Sequence, residues 1–320
     1  MTLYGTGSYC DGASGECKAY SSSPISQQGP RHKPIEIYAF IDPACPMCWG
    51  LEPIIKKLTI EYGQYFKLRY IIGGRLNTLN NCEKKKSEQK SAQDRADRWD
   101  QISRRYGMPC NGDIWLENPI SSSYAASIGV KAAELQGKQA GLRFLRKLRE
   151  AFFLKKQNIS DEKVLLRCAA DSELDLNEFQ HDIHAKGAVR AFQCDMKTTS
   201  EMEVDHLPTL VFLNANADEE GIKISGNFPY EAYEQVICEM LGRQPQTAEP
   251  PAIEEFLKKY PFVATKEIAV VYNLSCEEVE RHMKKLVLKQ QVERIPVKSG
   301  TFWQYRGPIA EAQHPSEKQS

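Results

Sequence analysis

Cys45-Pro46-Met47-Cys48 is the place in the chain where residue type and spacing together define a chemistry. Two cysteines separated by two residues can pass between dithiol and disulfide: one thiolate attacks, and the second resolves the mixed disulfide. The other common use of a C-x-x-C is zinc binding. Zinc needs two more ligands, and no second C-x-x-C or histidine pair stands at ribbon spacing. The flanking segments set the environment of the thiols. IEIYAFID (35–42) is short, apolar and rich in aromatic and β-branched residues, which predicts a buried strand. LEPIIKKLTIEYG (51–63) has apolar residues at helical spacing, with Pro53 in the first turns, where a missing N–H does little harm. A cysteine between that strand and that helix faces the helix N-terminus, whose unpaired N–H groups and dipole favour thiolate.

The remaining elements must hold this turn in place. FKLRYIIGG (66–74) reads as the strand that closes a βαβ unit. From about residue 84 to 200 the pattern is helical, with Ser160 expected to cap DEKVLLRCAADS and one helix expected from Leu176 to about Met202. LPTLVFLN (207–214) and GIKISG (221–226) read as strands, and PYEAYEQVICEMLG (229–242) as a closing amphipathic helix. This order predicts an α/β protein: a thioredoxin-like, DsbA-type sheet with a helical insertion, over residues 34–243. In such folds a cis-proline just before the third strand packs against the C-x-x-C. Pro208, in His206-Leu207-Pro208-Thr209, takes that position, and a proline can open a strand because it precedes the ladder. Residues 244–251, rich in Pro and Gln, read as a linker. Residues 252–307 then supply three short helices and a hairpin turning at Ser299-Gly300, the pattern of a small C-terminal winged-helix domain. Residues 1–33 read as a flexible N-terminal arm and 308–320 as a disordered tail.

Composition narrows the function classes. The 320 residues carry 42 Lys+Arg and 42 Asp+Glu, so net charge gives no bulk attraction to nucleic acid or anionic membrane. In a winged helix the second helix enters the major groove, but here it begins Ser275-Cys276-Glu277-Glu278-Val279-Glu280, and three carboxylates repel phosphate. No apolar run reaches the roughly 18 residues needed to span a bilayer. The first 20 residues lack the basic and apolar regions of a secretion signal, so a cytoplasmic location is expected. Ten cysteines without such a signal argue for reduced thiols rather than a disulfide framework, with Cys168 and Cys238 inside apolar helical patterns. Cys10, Cys17 and His32 are the metal candidates, with zinc the cofactor they would hold. C-x₆-C with one distant histidine is not a recognised zinc spacing, and two exposed thiols are the favoured reading. His181 and His184 lie one helical turn apart without a third ligand. Phe144, Phe152 and Phe153 fit either a core or a contact face.

IEIYAFIDPACPMCWGLEPIIKKL, KAAELQGKQAGLRFL, FQCDMK, LPTLVFLN and the C-terminal TKEIAVVYNLSCEEVERHMKKL with GTFW together resemble the YjbH/SpxH family of Gram-positive bacteria, from about residue 34 to 305. The resemblance implies a non-enzymatic adaptor. Such a protein binds the redox-responsive transcription factor Spx and speeds its degradation by the ClpXP protease. It also implies zinc binding by an N-terminal segment, where this chain offers only Cys10, Cys17 and His32. Two other classes stay open on the residues. One is a cytoplasmic thiol-disulfide oxidoreductase, with Cys45 as nucleophile, Cys48 as resolver and Pro208 shaping the substrate groove. The other is a redox-responsive DNA-binding protein. Met47 brings no positive charge between the cysteines, so the motif reads equally as a catalyst or as a pair kept for packing or sensing.

Overall fold

The structure is a computed structural model that describes residues 8–10, 17–19, 33–74, 88–214 and 221–307. Its central sheet has the strand order β4-β3-β5-β6, formed by β3 (Ile35–Ile41), β4 (Phe66–Ile72), β5 (Thr209–Asn214) and β6 (Ile222–Ser225). β3 pairs parallel with β4 and antiparallel with β5, so that Ile37 lies between Leu68 and Phe212. Successive side chains of a strand point to opposite faces. Ile35, Ile37 and Ala39 therefore meet Leu51, Ile55 and Leu58 of α1 (Pro46–Tyr62), while Phe40 faces Val204 and Val211 on the other side. Tyr233 and Ile237, from the helix that follows β6, cover the first face.

Between β4 and β5 stand α2 (Glu88–Tyr106), α3 (Ile114–Glu117), α4 (Tyr124–Leu135), α5 (Lys138–Lys155), α6 (Glu162–Ala170), α7 (Leu176–Asp182) and α8 (Lys186–Glu201). This is the expected helical insertion. Phe144, Phe152 and Phe153 are fully buried in it, so they belong to the core and not to a contact face. Two local expectations change. The cap of α6 is Asp161 rather than Ser160, its side chain accepting from the Lys163 N–H. The helix expected from Leu176 to Met202 is two helices, broken where Ala185 is extended. After β6, α9 (Tyr230–Leu241) closes the sheet.

The C-terminal segment holds α10 (Ile253–Lys259), β7 (Phe262–Ala264), α11 (Thr265–Tyr272), α12 (Cys276–Leu288), β8 (Val292–Val297) and β9 (Gly300–Tyr305). The three helices and the β8–β9 hairpin match the expected elements, and β7 adds a third strand in the order β7-β9-β8. The unit is not held by a linker alone. Residues 244–251 are themselves fastened: the Gln246 carbonyl accepts from Gln64 Nε2 at 3.0 Å and the Ala248 N–H donates to the Glu61 carbonyl at 2.9 Å. α11 packs on α1, and Phe302 of β9 is buried in the same core as Trp49 of α1.

The N-terminal arm contains an element that its polar, Gly-rich sequence did not predict. β1 (Ser8–Cys10) and β2 (Cys17–Ala19) pair antiparallel, with Cys10 opposite Cys17, and β1 lies against α8. His32 and the tail at 308–320 fall outside the described residues.

Candidate functional site

The turn from β3 into α1 carries the C-x-x-C. The apolar strand ends at Ile41, Asp42 follows, and Cys45 is the N-cap of α1 with Pro46 in the first turn, where its fixed φ suits the helix. The Cys45 sulfur accepts from the Cys48 N–H at 3.3 Å, so a thiol does the work usually done by Ser or Asp. Cys45 is half-buried and Cys48 buried. A hydrogen bond from the Cys48 thiol holds the Cys45 pKa below its ordinary value of 9.0. That bond outweighs the opposing effect of burial, and the Cys48 N–H and the Arg149 charge act in the same direction. Cys48 is pushed well above 9.0, chiefly by burial and then by donating to Cys45. The pair is thus polarised: Cys45 is the more acidic and the more accessible thiol, and Cys48 holds its proton more strongly.

Leu207 and Pro208 stand opposite. The Leu207–Pro208 bond is cis, and the Leu207 carbonyl lies 4.0 Å from the Cys45 sulfur. On the other flank Asn227, in the loop after β6, donates through Nδ2 to the Met47 carbonyl at 2.9 Å and fixes the middle of the motif. Beneath the turn lies a buried polar cluster. Asp42 is 1% exposed and accepts from the Ala44 N–H at 2.8 Å and from the Ser123 hydroxyl at 2.6 Å. Burial raises its pKa. Arg149 of α5, also 1% exposed, pairs with Glu52 and reaches the Asp42 carbonyl at 3.5 Å.

Cys45, Cys48 and Pro208 therefore converge, as their sequence positions anticipated. Asp42, Ser123, Arg149 and Asn227 were missed. Asp42 carried a signal, as a lone acid closing an apolar strand three residues before a cysteine. Arg149 carried none, because it sits in a run of basic residues on an amphipathic helix.

The side chains of Cys10 and Cys17 lie outside the described residues, as does His32. Among the described residues no three His, Cys, Asp or Glu side chains gather as a metal site. His184 reaches Glu162 at 3.3 Å on the surface. Cys45, Cys48, Cys110, Cys168, Cys238 and Cys276 are free thiols. Cys194 departs from the expectation of reduced cysteines, because it is disulfide-bonded. A bridge made by tertiary contact leaves no spacing to read. Among the described residues no helix is long and apolar enough to cross a membrane.

Sheet, cis-proline and C-x-x-C at a helix N-terminus define a thioredoxin-class protein, and residues 38–235 match the thioredoxin family. A candidate protein disulfide isomerase from Nitrosomonas europaea superposes with a TM-score of 0.56, at 19% identity, over 66% of this chain and 98% of that one. A DsbA-type oxidoreductase structure from Streptomyces coelicolor gives 0.51, at 16% identity, over 68% and 100%. These likenesses concern the fold.

Within that class the chain belongs to the SpxH family. It is 53% identical to the ClpXP adapter protein SpxH of Halalkalibacterium halodurans, over 92% of this chain and 96% of that one. Identity to the SpxH of Shouchella clausii is 48%, over 93% and 97%. For that of Bacillus subtilis it is 46%, over 89% and 94%.

Proposed function

We propose that this chain is an adaptor that binds Spx and promotes its degradation by the ClpXP protease. The observation that carries the reading is the 53% identity to a ClpXP adapter protein across 96% of its length. The thioredoxin match ends at residue 235, so that likeness extends through the C-terminal unit, which general oxidoreductase folds do not supply. The shared core around Trp49 and Phe302 makes the two parts one body, as a recognition platform requires. On this reading the protein works by recognition rather than turnover, in the cytoplasm. It must bind one conformation of its client better than another, because a ligand without differential affinity shifts nothing.

The test mixes purified Spx, ClpXP and ATP with and without the chain. Spx half-life falls several-fold when the chain is present. An unchanged half-life would end the adaptor reading.

A second reading has its own support in the polarised pair of Cys45 and Cys48. It is thiol-disulfide exchange, with Cys45 attacking and Cys48 resolving once its proton has left. Insulin reduction measures it directly. Turnover that vanishes in Cys45→Ser, while Spx degradation continues, separates redox chemistry from the adaptor mechanism.

A further inference from the structure

α12 has an inner face that the fold uses and an outer face that it does not. Val279, Met283 and Leu286 point into the C-terminal core, and a capping box of Ser275 and Glu278 fixes the start of the helix. The outer face begins acidic, at Glu277 and Glu278, and ends basic, at Lys284, Lys285 and Lys289, all of them exposed. Among these cations stands Leu288, 85% exposed, whereas the other exposed large apolar side chains of the described residues reach at most 52%. Residues three and four apart on a helix are neighbours, so Leu288 lies beside Lys284 and Lys285.

The charge on this face is not compensated within the chain. Elsewhere cations have acids in reach, as Lys131, Arg146, Lys156 and Lys298 do. Among the described residues no acid lies within ion-pair distance of Lys284, Lys285 or Lys289. Glu278 does not serve them: its carboxylate accepts from the Ser275 N–H at 2.8 Å, and the nearby cations that lower its pKa are Arg281 and His282. The whole chain carries 42 cationic and 42 acidic residues, so the excess here is local.

Charge and the lone leucine together select the occupant. A phosphate backbone would meet the lysines, but it would also meet Glu277 and would gain nothing from Leu288. A bilayer surface needs a broad apolar face, and one leucine does not make one. An acidic polypeptide that also offers an apolar side chain satisfies both features. We propose that the outer face of α12 is a docking surface for an acidic protein segment, with Lys284, Lys285 and Lys289 pairing its carboxylates and Leu288 covered by its apolar residue. Covering Leu288 removes apolar surface from water, and the ring of lysines fixes the register of the acids around it. The three lysines span only about 8 Å of helix, so the contact is weak and exchanges quickly. The surface lies on the C-terminal unit, and it needs neither the thiols of the C-x-x-C nor the adaptor activity.

The test uses the full chain and fluorescein-labelled peptides of about 16 residues, long enough to form a helix. One peptide carries glutamates at helical spacing around a leucine. A second has serine in place of that leucine, and a third has lysine in place of each glutamate. Fluorescence anisotropy is expected to show saturable binding of the first peptide, weakened by salt. Lys284→Glu with Lys285→Glu should weaken it about tenfold and should take the lysine peptide instead. Leu288→Ser should weaken the leucine peptide several-fold and leave the serine peptide unchanged, the coupling that a direct contact requires. Lys163→Glu with Arg167→Glu makes the same change of charge on the exposed face of α6 and should leave binding as it was. Circular dichroism confirms that each variant is folded. Binding that does not saturate, equal losses in the α6 and α12 variants, or full affinity in Leu288→Ser each overturns the surface. So does tighter binding of a labelled DNA duplex or of phosphatidylglycerol vesicles, either of which would give the lysines to another class of partner.

Discussion

At the scale of residues, one motif holds its two thiols in opposite states. The Cys45 sulfur receives the Cys48 thiol and the Cys48 N–H, whereas Cys48 is buried and gives its proton to the bond. Since the Cys48 hydrogen bond is the largest influence on Cys45, Cys48→Ala should weaken the thiolate more than any change at Met47. A lowered pKa places the rise in Cys45 reactivity at lower pH, so losing its cause moves the rise to higher pH. Site-resolved iodoacetamide rates as a function of pH measure this, and a profile that does not move contradicts the assignment. The motif, its place before a helix and Pro208 were all legible in the sequence, because each depends on local spacing. The cluster beneath was not: Ser123 and Arg149 reach Asp42 from residues 81 and 107 positions away, and nothing in their own segments distinguishes them.

At the scale of elements, helix existence followed from periodicity, and helix ends did not. α7 and α8 both keep apolar residues at helical spacing, and the one glycine near the break, Gly187, falls inside the first turn of α8. The break lies in a turn where the Ala185 N–H donates to the Asp182 carbonyl and the chain then runs extended. What holds α8 after the break is charge in the interior. Asp195 pairs with Lys131 of α4 at 2.6 Å and accepts from the Ile72 N–H at 2.8 Å, with both side chains under 10% exposed. Lys131 also meets Glu134 at 2.7 Å. Removing one partner of a buried pair leaves a charge without compensation, at a cost of about 3–5 kcal/mol. Asp195→Ala should therefore lower the unfolding free energy, read from the denaturant midpoint and slope, by about that much. Asp195→Leu with Lys131→Met should cost less than the single change, because no buried charge is left behind. A double variant weaker than the single one would show that the pair itself, rather than its stranding, supplies the stability.

At the scale of the whole molecule, the composition of residues 244–251 suggested two domains joined by a tether, yet the folded chain closes a seam along α1. Trp49, the residue after Cys48, stacks at 5.5 Å on Phe153 of the insertion and at 6.4 Å on Phe302 of β9. Arg146 lies 4.7 Å from the Trp49 ring and grips both oxygens of Glu267 in α11 at 2.9 Å. Phe302→Ala should cost about 3–5 kcal/mol, as a fully buried aromatic does, and Trp49 fluorescence should report the loosened seam. Glu267 gives the sharper test. It is fully buried, and it also takes Lys56 at 2.5 Å and the Ala264 N–H at 2.7 Å. Burial alone would raise its pKa, but Arg146 and Lys56 outweigh burial and hold it at about 2, below the ordinary 4.5. A carboxylate with a depressed folded pKa contributes stability that is fully present above 4.5 and is lost as pH falls toward 2. That contribution is about 3 kcal/mol at neutral pH. Glu267→Gln takes from Lys56 its ion-pair partner and leaves Arg146 with Glu150 alone, so it should be clearly less stable at pH 7. The gap between wild type and variant should then narrow between pH 4.5 and 2, as the wild-type carboxylate takes up its proton. Urea unfolding of both proteins across that range decides the matter: a gap that stays constant down to pH 2 would mean that Glu267 is not the ion that joins the two units.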